Sequence, residues 1–436
     1  MKRLLKGGRL VDPANGRDGA FDVLIDGDRI VKVGRDLPID AGTTVVEIPG
    51  GYVVCPGLID IHVHLREPGQ EHKETVATGT AAAVAGGFTA VACMPNTTPV
   101  NDNAGVTEYM LKKAAEANLA RVYPIGAVSR GQKGEQLADI AELQKAGCVA
   151  ITDDGRPVST ALLMRRALEY ASMFNIPVIE HCEEQTLKGD GVAHEGFQAS
   201  SLGLRGIPGE AESIMALRDI SLSSLTGGAV HIAHMSARQT LEAVRFGKSR
   251  GARVTCEVTP HHFVLTDEAL ASPVPYDTNT KMNPPLRETA DRDAMLAGLA
   301  DGSIDVIATD HAPHAADEKH VEFDHAPFGI TGLETAVSLC FDRLVHAGVV
   351  SLPRLIELLS VNPAKIINVT GGSLAEGAPA DITILAPDLA VTVVAAKMKS
   401  KSKNTPFDGW QLRGGVAATI VGGRTVYVNG DAGLLV

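Results

Sequence analysis

The string His62-Val63-His64-Leu65-Arg66 constrains this chain more than any other part of it. It closes an apolar run, Val53 to Ile61, and precedes Glu67-Pro68-Gly69. Side chains alternate along a strand, so two histidines two residues apart share a face. A strand that ends in two parallel imidazoles and then a guanidinium can hold a metal ion and grip a carboxylate beside it. The string points to a cofactor and to a substrate group at once.

The run that carries it is the first of eight. Short apolar segments recur at 58–64, 88–95, 121–128, 147–154, 176–182, 229–235, 253–259 and 304–310, each followed by an Ala/Leu-rich helical stretch. Continuous rather than alternating apolar runs mean strands buried on both faces, hence parallel ones. Eight of them alternating with helices predict an α/β fold, a (β/α)8 TIM barrel, over residues 55–367. An open doubly wound sheet competes, but it usually has fewer strands. The ends read differently. Residues 21–34 alternate and turn at Asp26-Gly27, residues 380–387 form another strand, and 417–430 turn at Gly422-Gly423. These are hairpin signals. Residues 1–54 and 368–436 are expected to build one small β-sandwich domain beside the barrel.

Aromatic residues are only 4% of the chain, so its core must come from Ala, Val, Leu and Ile. The net charge of −12 disfavours nucleic acid, and an anionic substrate would need a local positive site. The one basic run, Lys397, Lys399, Lys401 and Lys403, reads as a solvated loop. Six cysteines without CxxC spacing fit free buried thiols in a reducing compartment. The N-terminal segment is too short in its apolar part for a signal peptide, and no run reaches the length of a membrane span. A cytoplasmic location is expected, with no membrane partner.

Chemistry in such barrels sits at the C-terminal ends of the strands. Those ends hold His62, His64, Asn96, Asp154, His181, His234 and Asp310. Singly, each has a bland reading: a satisfied core histidine, a turn asparagine, a helix cap at Asp310. Together, at the ends of separate strands, four histidines and two aspartates point to metal, with Zn²⁺ suited to the donors. Six ligands are too many for one tetrahedral ion and suit two, bridged by hydroxide or by a carboxylate. Strand four offers Asp153 and Asp154, and only one of two neighbours can face the ions.

At this point the chain resembles the amidohydrolase superfamily, and within it the bacterial type I dihydroorotases. The resemblance spans nearly the whole length. It rests on GLIDIHVHLREPG (57–69), HKETVATGT (72–80), ACMPNTTPV (92–100), ITDDG (151–155), IEHCEE (179–184), AHMSA (233–237), EVTPHH (257–262), KMNPPLR (281–287), IATDHAPH (307–314), APFGITGLET (326–335), KNTPFDGW (403–410) and TIVGGRTVY (419–427). It implies metal ligands at His62, His64, Asp154, His181, His234 and Asp310, two zinc ions per chain, and Asp154 as their bridge. A carboxylated lysine is not expected, because the run 147–155 contains no lysine. Substrate contacts are implied at Arg66, Asn96, Asn283 and His314, with backbone contacts at Phe328 and Gly329.

The implied activity is the reversible cyclisation of N-carbamoyl-L-aspartate to L-dihydroorotate, a zinc-dependent cyclic amide hydrolase step of de novo pyrimidine (UMP) biosynthesis. Asp310 is then the candidate proton shuttle, and His261, His262 and His311 are supporting residues. Hydantoinases and allantoinases share the ligands, but their substrates lack the carboxylate that Arg66 would bind. A non-catalytic scaffold for aspartate transcarbamoylase is disfavoured because all six ligands are kept. A homodimer or a complex with aspartate transcarbamoylase is the expected assembly. The polar loop 311–329 is expected to order over the substrate as a lid.

Overall fold

Parallel pairing runs around a closed ring. A computed structural model describes residues 2–434. Strands Leu58–Val63, Phe88–Cys93 and Arg121–Pro124 pair in parallel, as do Val178–Glu180, Val230–Ile232, Val254–Val258 and Val306–Ile307. Two sets of contacts join these sheets. Ile151 bridges Gly126 on one side and Val178 on the other, and Val63 bridges His311, whose carbonyl accepts from His64 N at 2.9 Å. The fourth strand is short: Ile151 bridges both neighbours, and Thr152 N donates to Gly126 O at 2.9 Å. The barrel expected from the eight runs is present.

Every residue of the first two strands is buried, as continuous apolar runs require. Small and branched side chains fill the interior, among them Ile59, Ile61, Ala90, Ala92, Ile125, Ala150, Ile179, Ala233, Val306 and Ala308. A second layer packs strand residues such as Val91, Val122, Val178 and Ile232 against Met110, Leu168, Met215, Leu241 and Leu299 of the surrounding helices. Helices Val76–Ala85, Ala104–Ala117, Ile140–Ala146 and Ala161–Ser172 each start at a Thr, Asn or Asp whose side chain accepts a backbone N–H of the first turn. All six cysteines are free and buried.

Both termini build one sheet. Its order is 424–428, 411–421, 382–392, 44–56, 2–12, 22–26, 29–34, with 17–19 added beside 2–12. The 2–12 and 44–56 strands pair in parallel and the others antiparallel. Gly422 and Gly423 take φ of 54° and 72°, as the tight hairpin turn between 411–421 and 424–428 demands. The sheet curls back on itself: Arg3 of the 2–12 strand donates to Gly423 O at 2.9 Å and to Thr425 Oγ1 at 2.8 Å, holding the terminal 424–428 strand against it. A separate core, including Leu5, Leu10, Ile25, Ile384 and Ile420, lies within it.

Residues 393–410 leave this sheet and run over the barrel. Phe407 packs there with Met282, Leu286, Ile330 and Leu339. The lysines expected in a solvated loop are exposed, but Ser400, Ser402 and Asn404 between them are buried. Among the described residues no helix is long and apolar enough to cross a membrane.

Candidate metal and substrate site

The C-terminal ends of the barrel strands converge on a cavity of about 580 Å³. His64, Arg66, Asn96, Asp154, His181, His234, Asn283, Asp310, His314, Phe328 and Gly329 all line it, and His62 lies fully buried beneath. The structure therefore brings together every residue expected from the sequence to hold metal or contact substrate.

Two groups have ligand atoms close enough to share one cation: His62, His64 and Asp310, and His62, Asp154 and His234. His64 Nε2 is 3.0 Å from Asp310 Oδ1 and 3.6 Å from Asp154 Oδ2. His62 Nε2 is 3.4 Å from Asp154 Oδ1 and 3.6 Å from Asp310 Oδ1. His234 Nε2 is 3.6 Å from Asp154 Oδ1. His181 belongs to neither group but sits alongside, its Nδ1 2.9 Å from His234 Nε2 and 3.9 Å from Asp154 Oδ1. Asp154 is the residue that all four imidazoles approach, with one oxygen toward each side.

The donor set fits a metal. His62 Nε2, Asp154 Oδ1 and His234 Nδ1 are buried without a hydrogen-bond partner. Buried polar atoms are nearly always satisfied, so three orphans in one cluster mark a place for a cation. Burial opposes charge on Asp154 and Asp310, but the surrounding imidazoles, His62 foremost for Asp154 and His64 for Asp310, hold both below the usual carboxylate range. Burial likewise opposes protonation of His62, yet Asp154 and Glu257 raise it well above an ordinary histidine. A bound cation would replace the protons that this charge pattern attracts.

Backbone strain gathers at the same place. Arg66, His234 and Asp310 have φ of 61°, 29° and 47°. Side chains other than glycine seldom occupy this region, and residues that do cluster at functional sites.

The neighbouring aspartates divide as strand alternation requires. Asp153 turns away and accepts from Val128 N at 2.9 Å and Ser129 N at 3.0 Å, with the Ser129 hydroxyl on its other oxygen. Asn96 Oδ1 meets His64 Nδ1 at 2.9 Å, which fixes that imidazole. Asn283 Nδ2 lies 3.2 Å from His181 Nε2.

Beside the cluster, Arg66 is 8% exposed and donates through Nε to Pro313 O at 3.2 Å. Its Nη2 is 3.4 Å from His314 Nε2. His314 Nε2 is closer to Phe328 O, at 2.8 Å, so its N–H donates there. Burial, then the Arg66 charge, lowers His314 to about 2 and keeps it neutral. Gly329 N is engaged with Lys281 O at 2.9 Å, so its amide is not open to a ligand. The 311–329 loop contains a short helix, Ala316–Lys319, and buried Lys319 Nζ holds Pro327 O at 2.8 Å and Thr278 O at 3.0 Å.

Three residues at the site were not singled out from the sequence. Glu257, fully buried on the seventh strand, takes His62 Nδ1 at 2.7 Å, His231 Nε2 at 3.1 Å and His234 N at 3.1 Å. A carboxylate inside an apolar strand run was its signal. Lys188 and Arg156 line the cavity mouth, and nothing in their local sequence marks them. His262 is satisfied by Thr259 Oγ1 and Pro284 O, at 2.7 and 2.9 Å, and His311 contacts Glu74 and Gly332. Neither lines the cavity.

A family described as dihydro-orotase-like matches residues 51–240, and one described as amidohydrolase matches 226–427. The chain is 52% identical over 427 residues to a dihydroorotase of Syntrophotalea carbinolica, covering 98% of this chain and 99% of that protein. It is 53% identical over 428 residues to one of Anaeromyxobacter sp., covering 98% of each. Among solved structures, an L-hydantoinase (dihydropyrimidinase) from Arthrobacter aurescens superposes with a TM-score of 0.86 at 23% identity, over 100% of this chain and 97% of that one. A dihydropyrimidinase from Brevibacillus agri gives 0.82 at 23%, over 98% and 95%. At that identity the likeness is one of fold.

Proposed function

The chain belongs to the dihydroorotase family of amidohydrolases, and from that premise we propose that it interconverts N-carbamoyl-L-aspartate and L-dihydroorotate at a pair of zinc ions. The observation that carries the substrate is Arg66. Its buried guanidinium opens on the same cavity as the histidine–aspartate cluster. It supplies the positive, planar partner that a ring carboxylate needs.

In this reading His62, His64, His181, His234, Asp154 and Asp310 would hold the ions. Bound there, the metals would activate water and polarise the ring carbonyl. Glu257 fixes the tautomer of His62 by taking its Nδ1–H, leaving Nε2 for the metal. Asn96 holds His64 through Nδ1 in the same way.

Arg66 anchors the substrate carboxylate and so sets which ring atom faces Asp310. Asp310, ionised at neutral pH, takes the proton of the attacking water. It returns that proton to the ring nitrogen as the carbon–nitrogen bond breaks, giving the open-chain ureido acid. In the reverse direction the ureido nitrogen closes on the carboxyl carbon and water leaves. Arg156 in the cavity lining favours anions locally against the net charge of −12, while Lys188 beside it is paired with Glu183 at 3.4 Å. Turnover assays with dihydroorotate, hydantoin and allantoin test the assignment. Dihydroorotate should be hydrolysed at a kcat/KM far above the other two, and preference for either of those would reverse it.

A further inference from the structure

The loop bearing His314, Phe328 and Gly329 is fastened at both ends by one side chain from outside the barrel. Asn404 lies on the 393–410 segment and is 5% exposed. Its Nδ2 donates to Ala312 O and to Gly329 O, each at 3.1 Å. Its Oδ1 accepts from His314 N at 3.1 Å, and its backbone carbonyl accepts from Thr331 N at 2.9 Å. Both amide hydrogens and the amide oxygen are therefore spent on residues 312, 314 and 329. Among the described residues, no other side chain from outside the loop bonds both of its ends, though within it His314 Nε2 also reaches Phe328 O at 2.8 Å.

We propose that Asn404 is a positioning residue for the substrate carboxylate: it fixes the distance between His314 and the Phe328–Gly329 turn, and so the wall of the cavity next to Arg66. This rests on the dihydroorotase reading of Arg66 and His314. The coupling is short. Moving the His314 backbone shifts an imidazole that bonds Phe328 O at 2.8 Å and lies 3.4 Å from Arg66 Nη2. The bonds of Asn404 go to the loop and to Thr331, and none goes to a candidate metal ligand. Its loss is therefore felt in substrate affinity and not in metal content. Chemistry selects asparagine here. Aspartate would set an anion against two carbonyl oxygens, and alanine would leave two acceptors and one donor without this buried partner.

The test combines kinetics on dihydroorotate with metal analysis and a double-variant cycle. Asn404→Ala should raise KM about tenfold with kcat nearly unchanged, and metal content should match the parent. Asn404→Asp should raise KM further. With His314→Ala, the Asn404→Ala effect should be largely absorbed, because the two act through one loop. An unchanged KM, or effects that simply multiply, would overturn the proposal. If the variants do not fold, amide hydrogen exchange on the unaltered full-length protein decides it. The His314 and Thr331 amides, both bonded to Asn404, should be protected and open together. Free exchange at His314 beside a protected Thr331 would contradict it. A parent protein that does not turn over dihydroorotate would instead refute the substrate reading, and the exchange result would still decide the role of Asn404 in the loop.

Discussion

Asp154 Oδ1 lies 3.4 Å from His62 Nε2, and neither buried atom has a hydrogen-bond partner. An unsatisfied buried group costs on the order of 1–3 kcal/mol. Two such groups facing each other at the centre of four histidines are explained by a cation that takes both lone pairs.

Asp154→Asn should therefore lower bound metal from about two ions per chain to at most one. Turnover should fall at least about a hundredfold. Elemental analysis with steady-state kinetics on one preparation checks both. Full metal content in this variant would remove Asp154 from the bridge.

Asp310 has a different role and a different expected outcome. Asp310→Ala should abolish turnover while keeping at least one metal, since His62, Asp154 and His234 form a group without it. Retained turnover would exclude it as the proton carrier.

Glu257 acts through His62 and never reaches the cavity. Removing a partner that orients a ligating imidazole costs about 10–100-fold in metal affinity. Chelator competition should show that loss in Glu257→Ala, and a smaller one in Glu257→Gln, which keeps one acceptor. Equal affinities in all three proteins would sink this role.

Arg66→Ala should raise KM for dihydroorotate about 10–100-fold, the worth of a charge-assisted contact, with kcat changed little. Arg66→Lys should recover only part of it, because an ammonium lacks the fork. A normal KM in the alanine variant would undo the carboxylate assignment.

Asp153 gives a pH signature on the other face of the fourth strand. Burial raises its carboxyl to about 6, against the opposing pull of Ser129 and Val128 donors. A folded value above the unfolded one means a contribution present below about pH 4 and lost as pH rises through about 6. Asp153→Asn stays neutral throughout. Its deficit in melting temperature, measured on chelated protein, should be largest near pH 4 and shrink toward pH 7. A deficit that grows with pH would show that the three donors, not burial, govern this carboxyl.

The strand ends were readable because a barrel imposes one rule: buried runs, then chemistry where each run stops. His62, His64, His181, His234 and Asp310 all follow it. The fourth strand was legible as a run, but the Val128 and Ser129 donors that take up Asp153 show only in three dimensions. Glu257 was hidden by its own run, since sequence does not say which face of a strand looks inward. Asn404 was hidden among lysines. The pattern Lys399-Ser400-Lys401-Ser402-Lys403-Asn404 alternates exposed and buried, and that period of two was the available sign of an extended segment with a polar inner face. Lys188 and Arg156 reach the cavity only because separate loops meet there, which no local pattern encodes.

Metal-dependent ring chemistry on a carboxylate-bearing substrate is what these residues are arranged to perform. Dihydroorotate hydrolysis by the purified protein, before chelation, after it and after zinc is restored, with metal counted on each sample, tests it most directly. The active protein should carry about two ions per chain, lose turnover in step with metal, and regain it on zinc addition. Undiminished turnover in metal-free protein, or no turnover of dihydroorotate at full metal content, would contradict it.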